Sequence, residues 1–143
     1  MASVVISPTV LARSRAFAEA LFSTADGAPP AERLDWLTRE FADYLVKAGG
    51  RARFILTLAL FVVSWLAPLM VDEWPTLVRL DRRTRIRALE RMEASFLSAA
   101  VLAVKAFLCV IYYEHPDVQR EVGYVGHATF PMALEARATE AAR

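Results

Sequence analysis

Few residues in this chain could supply chemistry. Among 143 residues there is one cysteine, Cys109, and there are two histidines, His115 and His127. One cysteine excludes an intrachain disulfide, and a metal site needs several such ligands brought together. The 17 basic residues are balanced by 16 acidic ones, and the arginines are interleaved with acids, so a nucleic-acid surface is not indicated. These shortages argue against a metal-binding or nucleic-acid-binding protein.

Motifs of nucleotide or nucleophile sites are also missing. The sequence has no G-x-S-x-G, no P-loop and no G-x-G-x-x-G, and the turn Gly123-Tyr-Val-Gly126 follows a helical pattern instead of a strand. Glu90 and Glu93 lie one turn apart, but a solvated face of alternating charge explains them. We therefore predict no catalytic residue, no metal and no cofactor in this chain.

Apolar residues, in contrast, are in excess. They make up 56% of the chain, against roughly 45–50% in an ordinary soluble domain. Such an excess is covered either by a membrane or by a permanent partner, because obligate interfaces resemble a domain core cut in half. The N-terminus shows no basic region followed by an apolar core, as a secretory signal would. This predicts a cytoplasmic protein, with a peripheral position on the inner membrane as the alternative.

Apolar spacing and capping residues predict an all-α fold, a single-domain helical bundle of about five helices with two very apolar central helices. The expected parts of this one domain, 1–143, are an N-terminal helix and loop (1–30), a main bundle (31–126) and a peripheral C-terminal tail or helix (127–143). The expected helices run from Pro8 to about Ser23, from Ala31 to Gly49, over 54–71, from Asp81 onward, and up to Tyr113. Residues 82–113 allow either one long helix or a bend near Ser95 to Ser98, and Pro116 marks the end. In the fourth helix Phe96 is expected to continue an apolar stripe, with Arg85 on the opposite, polar face.

The two most apolar stretches could be either membrane spans or buried core helices. Residues 54–71 are eighteen in a row without a charge, close to the ~20 that a bilayer span needs. Residues 96–113 carry Lys105 at their middle, which costs about 2.5–3.5 kcal/mol on insertion. Three alternatives stay open: a membrane span, surface contact with a membrane, and a core in which these third and fifth helices pack together and meet a partner.

Residues 50–126 carry a pattern that resembles a known protein family, most specifically from Tyr112 to Gly126. The stretch DRRTRIRALERMEAS from Asp81 leads into the apolar helix and then into YYEHPDVQREVGYVG, residues 112–126. This pattern resembles the small helical module that accompanies flavoprotein dehydrogenases of the glucose-methanol-choline (GMC) type, and is similar to the small subunit of gluconate dehydrogenase and to the N-terminal segment of long-chain fatty alcohol oxidases. The resemblance implies an accessory subunit without catalysis of its own, whose partner carries FAD and acts on an alcohol, sugar or sterol-like substrate.

Aromatic and turn residues are the candidates for contact with that large subunit. Tyrosine and tryptophan suit interfaces, because an apolar ring carries a polar group at one end. Lys105 is expected to be paired or to extend its amino group towards solvent. The residues predicted to lie at the partner interface are Trp65, Trp74, Lys105, Tyr112, Tyr113, His115, Pro116, Gly123, Tyr124 and Gly126. A small membrane-associated helical protein without an enzyme partner is the alternative function.

Overall fold

The computed structural model describes residues 4–74 and 76–123. Within these residues the chain forms six α-helices and two 3-10 helices, and β-structure amounts to a single bridge between Thr24 and Gly27. The predicted all-α helical bundle is confirmed. The helices are α1 Pro8–Leu21, α2 Ala31–Lys47, α3 Gly50–Leu66, a first 3-10 helix Pro68–Val71, a second 3-10 helix Leu77–Arg79, α4 Arg82–Glu93, α5 Ser98–Tyr113 and α6 Pro116–Glu121.

Side-chain caps fix two of the helix starts that the sequence predicts. The Ser7 hydroxyl accepts a hydrogen bond from the Thr9 amide at 3.3 Å, ahead of Pro8 at the first helical position. Asp81 accepts from the Thr84 amide at 3.2 Å and from the Thr84 hydroxyl at 2.6 Å. Both caps satisfy amide groups that a helix start leaves without a partner in the helix.

The chain bends sharply between α4 and α5. The two helices meet at 118°, so the bent alternative for residues 82–113 is confirmed. The Ser95 hydroxyl accepts from the Leu97 amide at 3.1 Å and donates to the Met92 carbonyl at 2.7 Å within this turn. Phe96 at the bend is 91% exposed, which corrects its predicted place on the apolar face of the fourth helix.

The chain divides into two compact units, Met1–Tyr112 and Tyr113–Arg143. The single domain expected over 1–143 stays a prediction. In the first unit α1 packs against α2, α3, α4 and the second 3-10 helix. Its Phe17 is 1% exposed, and alanines at positions 16, 18 and 20 allow close approach of neighbouring helices. The core of this unit is therefore built around α1 together with the buried face of α3.

Contacts with other elements are recorded for both of the most apolar helices, α3 and α5. α3 approaches α1, α2, α4 and both 3-10 helices. The ring of Phe107 on α5 lies 4.3 Å from that of Tyr44 and 6.0 Å from that of Phe41, both on α2. The packing of the third helix on the fifth stays a prediction.

Arg85 is a buried charge that joins α4 to three other segments. It is 7% exposed, and its guanidinium donates to the carbonyl oxygens of Leu77 at 3.0 Å, Leu80 at 2.8 Å, Val78 at 3.1 Å and Ala16 at 3.4 Å. The Glu19 carboxylate lies 3.5 Å from the same group. Burial lowers the pKa of Arg85, while the charges of Glu19 and Asp81 raise it. The sequence predicts Arg85 on the polar face of its helix, and the structure corrects this.

In the second unit, described over residues 113–123, α6 is one short helix. His115 caps it, because its Nδ1 atom accepts from the Asp117 amide at 3.2 Å. Pro116 takes the first helical position, where the missing amide hydrogen costs nothing. Gly123 follows the helix with φ of 74°, in the left-handed region that glycine enters without strain. Pro116 therefore begins a new helix, as well as marking the end of the preceding one as predicted.

Candidate functional site

One face of α3, continued by Leu69 of the first 3-10 helix, exposes large apolar side chains along its length. Their spacing of four, three, four and four residues keeps them on one side of the helix. We call this set the α3 stripe; its members, with exposed fractions, are Phe54 (66%), Leu58 (47%), Phe61 (47%), Trp65 (45%) and Leu69 (47%). The opposite face is buried in the first unit by Leu56, Leu60 and Val63. The helix is thus apolar on both sides. Among the described residues, one side is packed into the core, and the other keeps large apolar side chains exposed, with Arg13 lying against Phe61.

A groove opens at the C-terminal end of the α3 stripe. It has a volume of about 720 Å³ and is lined by residues of α1, α3 and the segments that follow α3. Trp65 and Leu69 of the stripe form part of it, together with Trp74, which is 79% exposed, and Val78. We call it the tryptophan groove. Two of the ten residues predicted for a partner interface, Trp65 and Trp74, are brought together here.

Charged groups line the tryptophan groove beside the two indoles. Arg13 and Arg79 are on its wall, with the carboxylate of Glu73. The guanidinium carbon of Arg13 lies 5.3 Å from the centre of the Phe61 ring, a cation–π contact that holds this arginine against the α3 stripe. The groove therefore combines apolar surface with two cations and one anion, and suits an apolar segment that carries a carboxylate.

Lys105 is paired inside the chain. Its amino group donates to both carboxylate oxygens of Glu93, at 2.8 and 3.1 Å, across the bend between α4 and α5. This confirms the expectation of a paired lysine, while a contact between Lys105 and a partner stays a prediction. Cys109, one turn further on, is half-buried, and burial raises the pKa of its thiol while the charge of Lys105 lowers it. A raised pKa disfavours the reactive thiolate.

The two adjacent tyrosines have different surroundings. Tyr112 is 8% exposed and stacks on Phe22, with ring centres 3.8 Å apart and planes within 9° of parallel. This ring is covered by the chain's own core, and its contact with a partner stays a prediction. Tyr113 is 50% exposed and presents apolar surface at the end of α5. As an interface residue it stays a prediction.

The remaining candidates lie in the second unit. His115 and Pro116 form the start of α6 and Gly123 its end, which gives each a local backbone role. Tyr124 and Gly126 lie outside the described residues. Contact of these five residues with a partner stays a prediction.

Sequence reasoning missed the residues that complete the tryptophan groove. Arg13 and Arg79 come from segments far from Trp65 in sequence, and no local pattern joins them. The α3 stripe did leave a signal, since Phe54, Leu58, Phe61 and Trp65 follow a spacing of four, three and four residues. In a helix that is apolar all round, that spacing cannot tell the covered face from the free one.

Comparisons with known proteins return nothing. No protein-family model matches this chain, and neither the curated proteins nor the solved structures contain a match. The resemblance to the helical module of GMC-type dehydrogenases therefore stays a prediction. Within residues 4–74 and 76–123, no group of three or more His, Cys, Asp and Glu side chains could hold a metal ion.

In the described part of the chain one helical stretch, Gly50–Val71, is long and apolar enough to cross a membrane. α4 and α5 would make a second candidate span only if they were counted together as one broken span, and they meet at 118°. The core helix of a soluble protein meets the same criteria, so length and composition do not decide the matter.

Proposed function

We propose that this protein is a noncatalytic accessory subunit, and that it binds an FAD-dependent GMC-type dehydrogenase through the tryptophan groove. The observation that carries the proposal is the pair of exposed indoles, Trp65 and Trp74, in one groove of about 720 Å³. The nature of the partner is supported by the resemblance of residues 50–126 alone. The partner would supply FAD and the redox chemistry on an alcohol, sugar or sterol-like substrate.

The groove has the composition of a binding hot spot. Tryptophan and arginine are enriched where truncation costs a complex most, and a few such residues carry most of the binding free energy. A free monomer gains nothing from holding the 79% exposed ring of Trp74 in water. The segment that fits is apolar, with a carboxylate to meet Arg13 or Arg79. We expect the large subunit to present such a segment.

Copurification tests this function. The tagged chain is recovered from its native host, the eluate is scanned for flavin absorbance, and the companion protein is identified. We expect a yellow complex with the unaltered chain, and a roughly 10-fold or greater loss of bound flavin with Trp74→Ala, as for a hot-spot residue. Phe96→Ala is the matched control, because Phe96 is exposed to a similar degree but lies outside the groove. Equal flavin recovery from both variants would contradict this assignment of the groove.

A membrane-associated protein is the second candidate, favoured by the stretch Gly50–Val71. The packing of α3 restricts its form. One face of α3 is covered by neighbouring helices, so a span would bring their charged residues into hydrocarbon at about 2.5–3.5 kcal/mol each. This argues for lipid contact through the α3 stripe alone.

Vesicle flotation separates the two functions. The purified chain is mixed with vesicles of anionic and neutral phospholipid and centrifuged through a density gradient. An accessory subunit stays at the bottom with the soluble protein. A membrane-associated protein floats, and Phe54→Ser should then reduce flotation, because this ring is the most exposed member of the α3 stripe.

A further inference from the structure

The α3 stripe has the spacing of a coiled-coil seam. Phe54, Leu58, Phe61 and Trp65 are separated by four, three and four residues, the alternation that places apolar side chains between those of a facing helix. Each of these side chains is between 45% and 66% exposed. The surface is therefore shaped to receive another helix.

The stripe is also symmetric about its middle, between Phe61 and Val62. In an antiparallel pairing of two α3 helices centred there, Phe54 of one copy meets Leu69 of the other, and Leu58 meets Trp65. Each large side chain then faces another large apolar one, with Phe61 and Val62 at the two-fold axis. Such self-complementarity is what an isologous dimer interface requires.

Charges at the two ends of the stripe agree with this register. Arg51 and Asp72 are both exposed, and they stand at equal distances in sequence from the same midpoint. An antiparallel pairing brings Arg51 of each copy to Asp72 of the other, whereas a parallel pairing sets like charges against each other. Arg53 is engaged within the chain, where it donates to the Leu45 carbonyl at 3.4 Å. Arg51 is thus the arginine that fits the partner acid.

We infer that α3 pairs with α3 of a second copy of this chain, in an antiparallel, two-fold symmetric interface formed by the α3 stripe and closed at each end by an Arg51–Asp72 ion pair. The inference goes beyond the proposed function and does not depend on a flavoprotein. Trp65 and Leu69 belong to both the stripe and the tryptophan groove. The variants below therefore lie outside the groove lining, so that a failure here and a failure of the proposed function are separate results.

Sedimentation equilibrium of the full chain measures this association. The monomer mass is 15.9 kDa, and we expect a concentration-dependent shift to twice that mass. Leu58→Asp should weaken dimerisation roughly 100-fold, since a carboxylate would be buried at the seam. Leu102→Asp on α5 is the matched control, because Leu102 has the same 47% exposure as Leu58. Circular dichroism should show unchanged helix content in both variants.

A charge exchange tests the antiparallel register. Arg51→Asp and Asp72→Arg should each weaken the dimer roughly 10-fold, because two like-charge contacts replace two ion pairs. The double variant should recover the original affinity, since its charges attract again. Arg87→Gln should not weaken the dimer, because Arg87 is an exposed arginine of α4 that lies outside both the α3 stripe and the groove lining. A double variant no better than the single ones would overturn the register.

A cysteine near the proposed axis gives an independent readout. In a Cys109→Ser background, Val62→Cys should form an intermolecular disulfide on mild oxidation, whereas Glu40→Cys on the exposed side of α2 should not. A chain that stays monomeric at every concentration overturns the inference. So does a dimer that Leu58→Asp leaves intact. Loss of vesicle flotation or of flavin recovery in Leu58→Asp, with a monomeric parent, would show that lipid or another protein covers the stripe instead.

Discussion

Replacing Arg85 by methionine is expected to lower the free energy of unfolding by roughly 3 kcal/mol or more. Methionine keeps much of the apolar stem but leaves the four carbonyl oxygens without their guanidinium donor. Those oxygens belong to α1, to the second 3-10 helix and to the residue after it. The Leu77 oxygen keeps the Leu80 amide at 3.3 Å, but all four oxygens lose a charged donor and the Glu19 carboxylate loses its cation. Urea unfolding followed by circular dichroism measures the effect as a lower midpoint.

The conservative variant sharpens the test. Arg85→Lys should lose most of the same stability, because an ammonium group has three donors and cannot reproduce the planar fork of guanidinium. Arg87→Met, on the exposed side of the same helix, should stay within about 0.5 kcal/mol of the parent. If Arg85→Met unfolds at the parent midpoint, Arg85 does not hold these segments together.

Helix starts and the all-α class could be read from the sequence because their causes are local. Ser7 and Asp81 are N-caps whose hydrogen-bond partners lie two and three residues away. The stripe of α2 was also predictable, since Leu34 and Phe41 are separated by two helical turns and both are buried. Such features need no knowledge of what the helix packs against.

The faces of the other helices could not be predicted, because they depend on how the chain turns between one helix and the next. Arg85 resembles a solvated arginine until the 3-10 helix turns its carbonyl groups towards it. Phe96 continues the apolar spacing of α4, but the bend after Glu93 ends that helix before the phenylalanine. In both cases the local pattern was correct and the tertiary arrangement decided burial.

The candidate site was predictable to the level of residue type only. Tryptophan and tyrosine were singled out because they suit interfaces, and Trp65 and Trp74 do share one groove. Tyr112 and Tyr113 look alike in the sequence, yet they differ sixfold in exposure. The difference arises from Phe22, which lies ninety residues away and covers only one of the two rings.

Truncating these neighbouring tyrosines should therefore have opposite consequences. Tyr112→Ala removes a buried ring stacked on Phe22 at 3.8 Å, and should lower the free energy of unfolding by about 3–5 kcal/mol, the range for a buried aromatic side chain. Tyr112→Phe keeps the stack and should retain most of the stability. Tyr113→Ala removes a ring that is 50% exposed, and should cost under about 1 kcal/mol.

The same tyrosine variants should also differ in how well they bind the large subunit. If Tyr113 contacts the large subunit, Tyr113→Ala should reduce flavin recovery while its unfolding midpoint stays near that of the parent. Tyr112→Phe should bind as the parent does, because a ring covered by Phe22 has little surface left for a partner. Urea unfolding and flavin recovery measured on the same preparations separate the two roles. Equal unfolding midpoints for Tyr112→Ala and Tyr113→Ala would contradict the core position of Tyr112. Loss of a buried ring should lower the midpoint, whereas loss of a half-exposed ring should leave it nearly unchanged.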